Sequence, residues 1–155
     1  MDNISDFKIP STNGVDFDVD YIEIKGHRHR IAYAGNQEGI PVIVMMGVFE
    51  DSLLDARWLV SSMVNHPSGN NYRFITITVP FLEEYTQIEI DGSALSKYDG
   101  LRPPNRIVPM KGSLAVDPRF DLENCAHTLR SILIDGLKIE RAHFVGHDRG
   151  CKIMD

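Results

Sequence analysis

What the sequence lacks narrows it first. It has two cysteines in 155 residues, Cys125 and Cys151, both in helical patterns and in no metal-ligand spacing. Neither a disulfide scaffold nor a thiolate metal site is expected, and reduced thiols point to a cytoplasmic protein. No apolar run reaches the ~18 residues that span a bilayer, and no basic-then-apolar leader opens the chain, so no membrane partner is expected. Positive charge is also in short supply. Sixteen Lys and Arg against 22 Asp and Glu leave a net charge of −6, which argues against nucleic acid as a partner. Internal repeats and low-complexity stretches are missing too. A small-molecule substrate is the partner class left open. The length fits one domain, or part of one.

What is present is a succession of short apolar runs. Residues 1–20 read as a polar N-terminal tail with a turn at Asn13-Gly14. Tyr21–Ile24 and Arg30–Ala34 alternate around Gly26 as an antiparallel hairpin. His27 and His29 sit two apart at its tip, where polar residues are ordinary, and no third metal ligand accompanies them. Pro41–Met46 is apolar throughout and too short for a helix, so it predicts a strand buried on both faces. A loop at Gly47-Val48-Phe49 leads to a helix capped by Asp51 or Ser52, with Asp55 placed for a capping box and Leu53, Leu54, Trp58 and Val64 at helical spacing. Tyr72–Val79, rich in β-branched and aromatic residues, is the clearest strand. From about 81 to 120, Asp-Gly pairs and prolines break every periodic pattern, and a mobile insertion is expected there. Asp121 then caps a helix whose inner face is Leu122, Cys125, Ala126, Leu129, Ile132 and Leu133, with Gly136 in the left-handed position after its last turn. This alternation predicts an α/β fold over residues 21–155, with a mostly parallel sheet and an antiparallel N-terminal hairpin.

The chemistry concentrates at Ala142-His143-Phe144-Val145-Gly146-His147-Asp148-Arg149-Gly150-Cys151. A buried strand turns there into a helix with Asp148 at the apex. The apex residue of such an elbow is strained, and the residues two positions to either side must be small; Gly146 and Gly150 meet that requirement. The elbow lifts the apex side chain clear of the sheet, at the carboxyl ends of the strands where ligands of α/β sheets bind.

These residues make the chain similar to the first half of an α/β-hydrolase of the epoxide hydrolase and dehalogenase group. Members of that group carry a Gly-His-Asp-x-Gly elbow, matched by Gly146–Gly150. A helix and a Gly-Leu…Arg-Ala-His connection precede it, matched by Gly136-Leu137-Lys138-Ile139-Glu140-Arg141-Ala142-His143. The resemblance implies that Asp148 is the nucleophile. A carboxylate is suited to an sp3 carbon bearing a leaving group, as in an epoxide or organohalide, where displacement leaves an alkyl ester. It also implies an oxyanion hole from the Val48 and Arg149 amides. Arg149 and Lys152 resemble the basic pair of the haloacetate dehalogenase subgroup, which would hold a substrate carboxylate. No cofactor and no metal are implied.

The chain also departs from the group. Met46-Gly47-Val48-Phe49 stands where His-Gly-x-Pro is usual, and Val79-Pro80-Phe81-Leu82 stands where Asp-x-Arg-Gly is common. The group's base histidine and acid partner follow the elbow at greater distance than the five residues after Gly150. None of the six histidines is expected to replace that base. The chain is therefore expected to be an N-terminal fragment truncated after the elbow, inactive alone; the alternative is a non-catalytic remnant acting as a binding module. The group's elbow strand is central in its sheet, so Phe144 and Val145 are expected on an open edge here, giving self-association.

Overall fold

The computed structural model describes residues 8–47, 52–78, 86–88, 107–109 and 122–155. Strands β1 (Asp18–Ile24) and β2 (His27–Gly35) form the expected hairpin, joined through Lys25 and Gly26. Both turn residues have positive φ, 52° and 79°, the conformation that matches a two-residue turn to the right-handed twist of its strands. Strand β3 (Ile40–Met45) and β4 (Tyr72–Ile77) follow the two clearest apolar runs. Strands β5 (Thr86–Ile88) and β6 (Ile107–Pro109) pair antiparallel in a small separate sheet, within a segment where the sequence shows no period. The rest of the expected 81–120 insertion lies outside the described residues. Strand β7 (His143–Gly146) completes the main sheet, in the order β1-β2-β4-β3-β7.

The sheet is mixed. β2 runs antiparallel to both its neighbours, β1 and β4, while β4, β3 and β7 are mutually parallel. The parallel part needs crossovers, and these put helices on both faces. Residues of β3 alternate accordingly. Ile43 and Met45 pack with Ile31, Ile75 and Ile77 against α3 (Leu122–Ser131) and the widened π turn Ile132–Gly136. Val42 and Val44 pack with Ala32, Ala34 and Phe74 against α1 (Ser52–Asp55) and α2 (Arg57–Val64). Burial on both faces explains why the β3 run carries no polar alternation.

The structure differs from the sequence reading at four places. Of residues 1–20, read as a tail, Ile9, Val15 and Phe17 are buried in the second core, held by a turn in which Asn13 and Gly14 have positive φ between the bridged Thr12 and Val15. The single helix expected after Gly47 is broken at Ala56. Arg57 turns inward there and its Nη1 donates to the Leu54 carbonyl at 2.5 Å. The break shifts the buried face to Leu53, Leu54, Ala56, Val60 and Ser61, leaving Trp58 38% exposed. Leu122 likewise lies 38% exposed at the start of α3. Gly136 does not hold the left-handed position; Lys138 does, with φ 59°. Gly136 serves close packing instead, because a Cβ there would lie 2.8 Å from Ile22 Cγ2 on β1. The cap residues Asp51 and Asp121 lie outside the described residues.

One ionisable group is woven into this packing. The Tyr33 ring of β2 lies under the Arg73 guanidinium of β4 at 4.7 Å. Burial pushes its phenol above the usual 10.0, and Asp20 adds to the rise, while Arg73 opposes it. The folded state thus holds this proton more tightly than the unfolded chain. The stability it contributes is fully present below about pH 10 and is lost as pH rises through the higher folded value. Ultraviolet titration is expected to show one tyrosinate appearing late, and Tyr33→Phe to flatten the alkaline loss of stability in urea melts at pH 9 to 11. An unchanged alkaline slope would contradict this.

Candidate functional site

β3 and β7 lie side by side in parallel register, with Met45 opposite Gly146. Both end at the same edge of the sheet, and the His147 amide continues the ladder by donating to the Met45 carbonyl at 3.1 Å. The chain then reverses within one residue. Asp148 takes φ 52° and ψ −122°, and helix α4 (Arg149–Met154) begins immediately. That backbone region is one that residues with a Cβ rarely occupy, at a cost on the order of 1–3 kcal/mol. Two amides brace the turn: Gly150 donates to the His147 carbonyl at 3.0 Å and Cys151 to the Asp148 carbonyl at 3.1 Å.

Three glycines make the turn possible. A Cβ on Gly146 would lie 2.7 Å from the Cys151 nitrogen, so α4 can fold back onto β7 only over a bare Cα. At Gly150 a Cβ would collide with the Met45 and Met46 carbonyl groups. α4 therefore presses directly on the end of β3. Gly47, two residues past the end of β3, meets the apex itself: a Cβ there would lie 2.5 Å from Asp148 Oδ2 and 2.9 Å from its Cβ. The Asp148 side chain thus stands over the β3 loop, exposed to solvent.

Of the expected site residues, the structure brings Asp148, Arg149 and Lys152 together on one turn and the start of α4. Arg149 is half-buried and Lys152 exposed. They are three positions apart and so lie on one side of the helix. Val48 lies outside the described residues. The histidines are spread widely. His143 stands at the other end of β7 and meets Tyr72 edge-on at 6.1 Å; His127 pairs with Glu123 on α3 at 3.7 Å; His66 Nδ1 accepts from the Ser68 amide at 3.2 Å; His27 and His29 lie on β2. Among the described residues no three His, Cys, Asp or Glu side chains converge as metal ligands, and no helix is long and apolar enough to cross a membrane. Sequence reasoning missed Met154, which lies across Gly146. The only sequence signal for it is the spacing Gly150, Ile153, Met154 along one helical face.

An epoxide hydrolase from Vigna radiata superposes with a TM-score of 0.53 at 16% identity, over 88% of this chain and 32% of that one. The Cif epoxide hydrolase from Acinetobacter nosocomialis gives 0.54 at 16% identity, over 94% and 34%. The chain has the α/β-hydrolase fold. A predicted CIB-like hydrolase from Thermoplasma acidophilum gives 0.53 at 15% identity, over 90% of this chain and 55% of that one. No family model and no curated protein matches. The chain spans about a third of the length of the two epoxide hydrolases, so the likeness is one of fold.

The strain at the turn has a measurable consequence. Asp148→Gly, which tolerates positive φ, is expected to raise stability by about 1 kcal/mol. Gly150→Ala is expected to lower it by about 1–3 kcal/mol, because carbonyl groups cannot give way to the added methyl. Urea unfolding checks both. Loss of stability in Asp148→Gly would show that the native packing does not strain this residue.

Proposed function

We propose that this chain carries the nucleophile of an α/β-hydrolase that displaces a leaving group from an sp3 carbon, forming an alkyl ester on Asp148. The observation that supports it is the backbone of Asp148. A carboxylate is held at φ 52°, in solvent, above Gly47 and between two glycines that nothing larger could replace. Strain of that kind persists where the surrounding structure over-determines it, as at functional sites. The carboxylate oxygen attacks the carbon and forms a C–O bond. A halide departs with the electron pair of the broken bond, or the epoxide ring opens and its oxygen takes a proton from water.

The amides of Arg149 and Val48 are the proposed oxyanion donors for the later hydrolysis of the ester. The Arg149 and Lys152 side chains are proposed to hold a substrate carboxylate, which favours a haloacid among the possible substrates. The described histidines lie on β2, after α2, on α3 and at the far end of β7, except His147, which adjoins the apex. Adjacent residues at a tight turn point apart, so the ester is expected to persist in this chain on its own.

Intact-mass measurement after incubation with an aryl epoxide or with chloroacetate tests the reading, in a Cys151→Ser background because that thiol is exposed. The expected result is one adduct per chain, mapped to Asp148, released by hydroxylamine as an ester is, and absent in Asp148→Asn. Arg149→Gln and Lys152→Gln are expected to slow labelling by chloroacetate about tenfold while sparing the epoxide. A chain left unlabelled by both reagents would overturn the nucleophile and leave the binding-module reading in its place.

A further inference from the structure

Among the described residues, the protein buries two arginines and no acid. Arg30 is 9% exposed and Arg57 5%, and no Asp or Glu is buried with them. Both belong to one face of the sheet, near its carboxyl edge. Arg30 alternates with Ala32 and Ala34 on β2, on the face that α1 and α2 cover. Its neighbours across the sheet are uncharged. Tyr21 stands opposite on β1, and on the other side the antiparallel register of Ile31 with Ile77 continues one step to Thr78. Thr78 follows Phe74 and Thr76 in the alternation, so it faces the same layer, where its hydroxyl oxygen is buried without a hydrogen-bond partner. Arg57 enters that layer from the start of α2, and its Nη1 donates to the carbonyl of Leu54, a residue of the same core. Burial pulls its guanidinium below the usual arginine range, and Asp55 on α1 opposes the fall.

We infer that Arg30, Arg57 and Thr78 form a binding site for a small carboxylate at the carboxyl end of β4. A charge withdrawn from water needs an opposite charge close by, and two cations on one face without a buried acid call for an anion. A carboxylate suits the donors present. It only accepts hydrogen bonds, its two oxygens match the parallel N–H pair of a guanidinium, and a remaining lone pair takes the Thr78 hydroxyl. Water would satisfy the hydroxyl and leave both charges unopposed; an apolar ligand would satisfy neither, and a metal cation would be repelled. The site is separate from the one proposed at Arg149 and Lys152. β4 lies two strands from β7 in the sheet order, about 10 Å at ordinary strand spacing. The parallel register of Val44 with Thr76 places Met46 beside Thr78, between it and the turn.

The test uses acetate as the probe, in the full chain carrying Arg149→Gln and Lys152→Gln so that the cations of the turn do not bind it. Thermal melting is followed at pH 7 and constant ionic strength while acetate replaces chloride. The expected result is a saturable rise in melting temperature, about 3–6 °C at ten times the dissociation constant, with one acetate bound per chain in calorimetry. Thr78→Val keeps the side-chain shape and removes an unsatisfied hydroxyl. It is expected to melt no lower than the background without acetate, and to weaken acetate binding about tenfold. Arg57→Met, with folding checked by its far-ultraviolet spectrum, is expected to abolish the rise. No rise beyond that in chloride would overturn the site, because an acid of the chain itself, such as Glu50, Asp51, Glu83 or Glu84, would then already neutralise the arginines. A rise that Thr78→Val and Arg57→Met both retain would overturn it as well, by placing the acetate elsewhere. Asp148→Asn is expected to bind acetate as the background does, so this inference and the proposed chemistry stand or fall separately.

Discussion

The tight turn at Asp148 rests on backbone-to-backbone contact, and much of the sheet's carboxyl edge is arranged to allow it. α4 lies so close to the ends of β3 and β7 that side chains are excluded at Gly146 and Gly150, while bare Gly47 leaves room for the Asp148 side chain. This closeness fixes the relative height of the two strands, through the Met45 carbonyl that accepts from His147 and blocks any Cβ at Gly150. It also leaves one apex residue in a conformation its Cβ disfavours. Interior packing is dense enough that such strain has no easy path of release. The energy comes from the two cores, where Ile31, Ile43, Met45, Ile75 and Ile77 on one face and Val44, Leu53, Leu54 and Val60 on the other are all but inaccessible to water.

Among the described residues, the same sheet that supports the turn places it beside the last of three parallel strands. Parallel β4, β3 and β7 put their carboxyl ends together, which is where an α/β sheet offers room for a ligand. β7 is nevertheless the outermost of the three. The turn and the second core thus share one four-residue strand, with Val145 packed into that core and Phe144 facing out of it.

Much of this was legible along the chain. The strands at Pro41–Met46 and Tyr72–Val79, the hairpin around Gly26 and the strand-to-helix turn at Asp148 each announce themselves through local rules of period, turn chemistry and glycine placement, and each is found within a residue or two. The break at Ala56 was hidden because a period of 3.6 does not register a helix that stops and restarts, and Arg57 reads as a surface residue until its guanidinium is seen capping Leu54. Gly136 was legible as a required glycine but for a different reason: its partner, Ile22, lies over a hundred residues away.

By itself, then, the sequence determined the order of elements and the residue types at the turn, because both follow from interactions among neighbours along the chain. It also determined the charge and the chemistry of Asp148, Arg149 and Lys152. Only the tertiary structure decided that Ile9, Val15 and Phe17 belong to the core, that α4 packs bare on β3, and that the Asp148 carboxylate stands against Gly47. Those facts depend on which segments distant in sequence come into contact. Such contacts arise from burial of both sheet faces at once, and no local pattern records them.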